Sequence, residues 1–423
     1  VDLAKREIPG DHGCQPPEGA ELMDRYAREL EELFSQSFDV DTPSGALAAR
    51  VVGQKAPLVL YGAGTLGQFV LGRLRKAGVE PAAFADETPS KQGQSLEGVP
   101  ILGLADAVAR HGDNSVFAVT ILNPHLRYLD AERRLRQCGA RSVISFLHLA
   151  RHLPDQFLPY LQFESPRHTI DKSRDIAAAL RLFADDESRR QFVAHVRFRL
   201  QLAFEALPAA DDGDYFSTEF LAPLPADTTF VDCGAYDGDS IRQFLRHRGE
   251  EFNEILAFEP DPENYQRLCS FVATLPAAVG RRITTYCMGV GARRERVAFS
   301  ATGNMGASFD DAGNCMVETI ALHEVVPVTR RSLFIKLDVE GAEQAALAGA
   351  GPLIQQGKPL LAVSVYHRPE DLWKIPSDLQ AMNPGYRLFL RTLGHDGMDV
   401  ICYAVPPERI SRSFDASLRS MTA

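Results

Sequence analysis

Four strand-like segments in the second half of the chain end in residues that could do chemistry. The first is Thr229-Phe-Val-Asp-Cys-Gly-Ala-Tyr-Asp-Gly-Asp239, an apolar strand that runs to Asp232 and turns through Gly234 and Gly238 into a helix. Glycines there let the main chain approach a ligand with no Cβ in the way. The second, Ile255-Leu-Ala-Phe-Glu-Pro-Asp261, brings Glu259 and Pro260 to a strand end, with Glu259 21 residues beyond Gly238. That is the spacing of an acid that accepts both hydroxyls of a ribose. The third, Leu333-Phe-Ile-Lys-Leu-Asp-Val-Glu-Gly-Ala-Glu343, carries Lys336, Asp338, Glu340 and Glu343 off the end of a buried strand, where open α/β sheets place their ligands. A helix dipole accounts for an acid at 340 or 343. It does not account for Lys336 and Asp338 alternating within an apolar strand. The fourth, Val363-Ser-Val-Tyr366-His367, ends the next strand beside the same place, and His367 there is either structural or catalytic.

The charge of the first turn separates two ligand classes. A dinucleotide would seat its pyrophosphate on such a turn, at the helix N-terminus. Asp232, Asp237 and Asp239 crowd that spot with negative charge. A pyrophosphate is repelled, whereas a cationic sulfonium with an α-amino group is welcome. S-adenosylmethionine is therefore favoured over a nicotinamide cofactor. In-line transfer of its methyl to an acceptor hydroxyl would draw much of its rate from burial and orientation. Asp338, Glu340 or His367 could take the hydroxyl proton, and Lys336 either anchors Asp338 or contacts the acceptor. The residues do not single out one base.

Val231-Asp-Cys-Gly-Ala-Tyr-Asp-Gly, Phe258-Glu-Pro-Asp, Ile335-Lys-Leu-Asp-Val-Glu-Gly-Ala-Glu and Ser364-Val-Tyr-His resemble the FkbM family of class I methyltransferases, in family order, over about residues 215–406. The resemblance implies a Rossmann-like methyltransferase domain that uses S-adenosylmethionine to methylate oxygen, often on sugars or polyketide-type natural products. It also implies that Asp232, Gly234, Ala235, Tyr236 and Gly238 hold the methionine end and Glu259 the ribose. Asp237 and Pro260 fall within the same cofactor-binding motifs. Met288 and Gly289 would lie against the adenine, and Asp338 would face the sulfonium and the acceptor. Residues 1–214 lie outside the resemblance.

These residues need a sheet to position them. Strands are expected at 230–232, 254–258, 283–287, 333–337 and 360–365, followed by a hairpin of 387–391 and 400–404 around Gly394-His-Asp-Gly397. That pattern predicts a seven-stranded sheet with one antiparallel strand. A separate βα series opens at Leu58-Val-Leu-Tyr61 and runs into Gly62-Ala-Gly-Thr-Leu-Gly67, with further strands at 81–85, 116–122 and 142–146. The fold class is thus α/β, with two Rossmann-like domains in series. The boundaries are read as 1–44 (coil and helix), 45–150 (Rossmann-like), 151–225 (helical connection) and 226–423 (methyltransferase). The N-terminal turn has no acid between Gly62 and Gly67, so Gly62, Gly64 and Gly67 suit an anionic phosphate. Asp86, 24 residues after Gly62, could reach a ribose. The acceptor is accordingly expected to be a small molecule such as a nucleotide-linked sugar. The alternative is a ligand-free domain used for packing or dimerisation, and a homo-oligomer is compatible with either. In the helix expected from Glu18 to Phe34, Leu22, Tyr26, Leu30 and Leu33 share one face, which is expected to pack on its own domain.

Bulk properties bound the rest. With 423 residues, two or three domains are needed. A net charge of −11 argues against a nucleic-acid binder. No apolar run reaches the roughly 18 residues of a membrane span, and the first residues lack a signal-peptide core. The seven cysteines are scattered without a Cys-x-x-Cys pair, so neither a metal cluster nor a disulfide framework is expected and a reducing cytoplasm is the simplest setting. Two rival functions remain: a nicotinamide oxidoreductase using Gly62–Gly67, and a non-catalytic nucleotide-binding scaffold.

Overall fold

A computed structural model describes residues 18–36, 42–123, 125–210, 214–216, 218–301, 308–309, 313, 315–330 and 332–422. The coil expected over the first 17 residues lies outside these. Among the described residues no helix is long and apolar enough to cross a membrane.

The strands of the described residues form three sheets. The N-terminal sheet contains β1 (Leu58–Tyr61), β2 (Ala83–Ala85), β3 (Ser95–Leu96), β4 (Val99–Leu102), β5 (Val116–Val119) and β6 (Ser142–Ser145), in the order β3-β4-β2-β1-β5-β6. All of its pairs are parallel except β3 with β4. Parallel strands covered on both faces read as unbroken apolar runs, and every residue of β1 and β5 is buried. Three strands are shorter than the sequence suggests, β2 beginning at Ala83 rather than at residue 81. The one expected to reach residue 122 ends at Val119, because the Thr120 hydroxyl turns back to donate to the carbonyls of Tyr61 and Gly62. The one expected to include Phe146 ends at Ser145, whose hydroxyl accepts from Leu147 N–H and caps the helix Phe146–His152.

The remaining strands are β7 (Thr229–Cys233), β8 (Glu254–Phe258), β9 (Ile283–Tyr286), β10 (Gly289–Val290), β11 (Glu295–Ser300), β12 (Ser308–Phe309), β13 (Cys315–Ile320), β14 (Leu333–Leu337), β15 (Leu360–Ser364), β16 (Arg387–Thr392) and β17 (Val400–Val405). Seven of them form the predicted sheet, in the order β16-β17-β15-β14-β7-β8-β9. Strand β17 is antiparallel to both neighbours, and the other pairs are parallel. The reversal of strand order between β7 and β14 opens the crevice in which such sheets bind ligands. The small sheet β10-β13-β11-β12 is not anticipated by the sequence pattern. Its strands mix exposed, half-buried and buried positions and pack on a cluster of only a few apolar residues.

The helical connection is shared between two cores. Ile176, Leu180, Phe183, Phe192 and Val196 join the apolar cluster of the seven-stranded sheet. Phe157, Phe163, Phe198 and Phe204 join that of the N-terminal sheet. The helix Asp186–Gln201 therefore braces both, and it stops where Leu202 takes the left-handed conformation at φ 54°. The helix Glu18–Ser35 buries Tyr26, Leu30 and Leu33 in the C-terminal core, not in that of the adjoining N-terminal sheet.

Candidate active site

The first turn is held by a buried ion pair. At the end of β14, Lys336 donates to Asp232 Oδ1 at 3.1 Å and to the Gly234 carbonyl at 2.9 Å, and stands 3.7 Å from Asp338 Oδ2. Asp232 also accepts from the Ser240 hydroxyl at 2.6 Å. The ammonium is 3% exposed and lies over the Tyr215 ring. Burial works against its charge, but Asp232, Asp338 and Asp239 overcome that and push its pKa above the usual lysine value. A lysine so committed ties β14 to the turn after β7 and has no free face for an acceptor.

This pairing corrects two expectations drawn from the sequence. Asp232 and Asp237 do not present bare negative charge to a ligand: Lys336 neutralises the first, and Arg242 pairs with the second at 2.9 Å. Asp239 and Glu259 are the acids of the turn that have no ion-pair partner among the described residues. Gly234 is needed for packing more than for ligand approach, since a Cβ there would stand 1.8 Å from the Asp338 carbonyl oxygen. The turn after β7 and the turn after β14 thus touch backbone to backbone.

Glu259, at the end of β8, is 5% exposed. Its Oε2 accepts from Tyr236 N–H at 2.8 Å and its Oε1 from Asp261 N–H at 2.9 Å. Desolvation pushes its carboxyl up to about 7 against the pull of these two N–H groups. Pro260 links it to Asp261, which caps the helix Pro262–Thr274. Tyr236 is held at φ 47°, which points its N–H at the carboxylate. Met288 is half-buried after β9, and Gly289 is buried in β10, paired with Thr319. Ala235 is fully buried.

The second half of the site gathers around Asp338. Its Oδ1 accepts from the Ser364 hydroxyl at 2.7 Å and its Oδ2 from the Tyr215 hydroxyl at 3.2 Å. Burial would raise its pKa, but Lys336, His367 and these two hydroxyls outweigh it and hold the carboxyl low. His367 Nε2 is 3.7 Å from Asp338 Oδ1 and 3.4 Å from Glu340 Oε2, and its Nδ1 is 2.7 Å from Glu343 Oε1. Burial opposes the imidazolium, yet Glu343, Glu340 and Asp338 raise the ring's pKa to about 10. Glu340 adopts φ 52°, a left-handed conformation that costs a non-glycine residue about 1–3 kcal/mol and is typical of functional sites. Burial lifts its carboxyl to about 8 despite His367. Asp338, Glu340 and His367 therefore converge, whereas Lys336 lies beneath them. Although no metal ligands were expected, donor atoms of Asp338, Glu343 and His367 lie within 4.8 Å of one another.

Sequence reasoning gives no role to Ser364, Tyr215 or Asp399. Ser364 lies in the fourth motif, at a strand end, which is the signal that could have found it. Tyr215 comes from the coil before β7, where no periodicity or strand-end rule marks it. Asp399, in the hairpin turn, bonds to Tyr366, and burial pushes its carboxyl up to about 6.

The N-terminal turn is closed on itself. Asp86 Oδ2 accepts from Ala63 N–H at 2.8 Å and Oδ1 from Thr88 N–H at 2.8 Å, with Lys91 at 3.4 Å. Burial opposes its charge, but those N–H groups and Lys91 hold the carboxyl below its ordinary value. A Cβ at Gly67 would stand 2.1 Å from the Gly62 carbonyl, while Gly64 faces open space.

Residues 232–396 match the model of the methyltransferase FkbM domain. The crystal structure of methyltransferase FkbM from Methylobacillus flagellatus KT is similar over 92% of this chain and 100% of its own, at 22% identity and a TM-score of 0.71. That likeness extends the shared fold over both large sheets. UDP-D-quinovosamine 4-dehydrogenase from Vibrio fischeri aligns with 21% of this chain and 77% of its own, at 21% identity and a TM-score of 0.18. A glycopeptide N-methyltransferase in complex with S-adenosyl-L-methionine aligns with 43% of this chain and 82% of its own, at 13% identity and a TM-score of 0.24. Curated proteins gave no match.

Proposed function

We propose that this chain transfers a methyl group from S-adenosylmethionine to a hydroxyl oxygen of a small acceptor, a sugar or a natural product. The observation that carries this reading is the convergence of Asp338, Glu340 and His367 across the crevice from a buried ribose acid, Glu259. The residues fit the cofactor. Each oxygen of Glu259 already accepts one backbone N–H and keeps a lone pair for one ribose hydroxyl. When bound, S-adenosylmethionine supplies an electrophilic methyl on a cationic sulfonium. Asp239 and Asp338 offset that charge, and Lys336 fixes Asp338 from below. Glu340, with its carboxyl near neutrality, receives the acceptor proton. His367, held as a cation by its carboxylates, orients Glu340 and is not itself the base.

The N-terminal sheet contributes acceptor recognition in this proposal. The loop after β5, at the carboxyl end of that sheet, reaches the hairpin turn of the methyltransferase domain: Tyr128 N–H donates to Asp396 at 2.6 Å. The same turn carries Asp399, bonded to Tyr366 beside His367. An acceptor with a nucleotide at the Gly64 face would have its sugar directed toward that turn.

The test is incubation of the full chain with methyl-labelled cofactor and a panel of free and nucleotide-linked sugars. Label recovered as a methyl ether supports the reading. Label on nitrogen or carbon, or transfer unchanged by Glu340→Gln, contradicts it.

A further inference from the structure

The helix Asp186–Gln201 carries a buried cation outside the carboxylate cluster. Arg199 is 5% exposed, and its guanidinium lies over the Trp373 ring, 5.7 Å from the centroid. Its Nη1 donates to the Pro369 carbonyl at 2.9 Å and its Nη2 to the Val365 carbonyl at 3.4 Å. Burial draws its pKa down to about 9, and the charge of Asp371 works against that. Burying a charge is costly unless it is well paired. An apolar side chain of similar volume would fill the space at less cost, so packing does not explain an arginine here.

The two carbonyls bracket the loop that carries His367. Val365 follows β15, and Tyr366, His367 and Arg368 lie between it and Pro369. The Tyr366 and His367 rings pack together, with centroids 4.1 Å apart. Asp371 fixes the far end: it is fully buried and accepts from Arg368 N–H and from Gln344, each at 3.0 Å. Arg199 thus holds the backbone on both sides of His367 at once. Its own carbonyl accepts from Arg151 at 3.0 Å, on the helix Phe146–His152 that follows the N-terminal sheet.

The ring depends on such control. Nδ1 meets Glu343 at 2.7 Å, whereas Nε2 stands 3.4 Å from Glu340 and 3.7 Å from Asp338, without a hydrogen-bond partner among the described residues. At those separations the attraction is electrostatic and no hydrogen-bond geometry fixes it. The backbone of the loop then decides how closely the imidazolium faces Glu340. We propose that Arg199 is a positioning residue: by clasping the carbonyls of Val365 and Pro369 it sets the distance between His367 and Glu340. Its effect on turnover rests on the reading of Glu340 as the group that receives the acceptor proton.

The experiment compares the full chain with Arg199→Met and Arg199→Lys. Arg199→Met keeps the apolar stem, removes both donors and should lower turnover about 10²-fold through misplacement, with S-adenosylhomocysteine affinity nearly unchanged. The Glu340 limb of the pH profile, near 8 in the wild type, should move to higher pH, because the imidazolium that lowers it has drawn away. Arg199→Lys keeps the charge but only one donor group, and should recover part of both effects. It also stands in if the methionine variant does not fold, with a smaller shift of the same sign expected. A lower melting temperature with the limb unmoved makes Arg199 merely structural and overturns the proposal. Nitrogen-15 NMR of the His367 ring, assigned with His367→Gln, reads the clasp without methyl transfer. Its pKa of about 10 should fall in Arg199→Met as the carboxylates recede. A fall in a preparation that methylates no acceptor leaves the clasp standing and removes the methyl-transfer reading. An unchanged ring in a preparation that does methylate overturns the clasp alone.

Discussion

In the N-terminal sheet Asp86 reaches from the end of β2 to the backbone of the turn after β1. In the C-terminal sheet Glu259 reaches from the end of β8 to the turn after β7 in the same way. Each carboxylate accepts one N–H from the turn and one from its own loop. The difference lies in what surrounds them. Asp86 has Lys91 beside it and stays low, while Glu259 has no paired cation among the described residues and is pushed up to about 7. The next strand across the crevice differs as well. Strand β5 runs into Thr120, which bonds back to the turn, whereas β14 runs into Lys336, Asp338 and Glu340. One turn architecture thus occurs twice, and the two copies differ in the carboxylates and lysine that the switch strand brings to the second.

The largest effect that would break this comparison lies at Glu340. Glu340→Gln should lower turnover about 10²–10⁴-fold while leaving S-adenosylhomocysteine affinity nearly unchanged. With the Glu340 carboxyl near 8, wild-type turnover should rise with pH and level off above that value. The glutamine variant should lose this limb in a steady-state pH profile. An unchanged profile would move the proton transfer to another group.

Glu259→Ala comes next. Removing its charge-assisted hydrogen bonds to the ribose should cost about 1.5–3 kcal/mol, or roughly 10- to 100-fold in affinity by calorimetry. Unchanged affinity with an intact fold would detach Glu259 from the cofactor.

A smaller effect concerns stability without ligand. Glu259 has a folded pKa of about 7, above its ordinary value of 4.5. The folded state therefore favours the protonated form, and stability falls as pH rises from about 4.5 to 7. The loss should be up to about 3 kcal/mol. Glu259→Gln should flatten that slope in thermal unfolding between pH 5 and 8, and an equally steep slope would contradict the buried-acid assignment.

Asp86→Asn should have the smallest effect, about 1 kcal/mol. Its sign is opposite, because Asp86 is held low. Its contribution is present at neutral pH and is lost as pH falls through its folded value. S-adenosylhomocysteine affinity should not change. If it did, the two turns would not be independent.

The strand ends were legible because an apolar run that stops at an acid marks where a strand leaves the core. Asp232, Glu259 and Asp338 stand out in that way, and His367 ends its strand likewise. Pairing was not legible. Nothing along the chain says that Lys336 crosses to Asp232, which is 104 residues away, so the turn reads as more negative than it is. Tyr215 and the partner of the helix Glu18–Ser35 escape for the same reason. Each packs on an element distant in sequence, and helical periodicity reports a buried face without naming its partner. The small sheet β10-β13-β11-β12 escapes because short, half-exposed strands lack a clean alternation.

The most direct measurement is a crystal structure of the full chain with S-adenosylhomocysteine. The ribose hydroxyls should lie on Glu259 and the sulfur should face Asp338 and Glu340. Density at the Gly62–Gly67 turn instead, or a sulfur turned away from Asp338, would contradict the assignment of the chemistry to the C-terminal sheet.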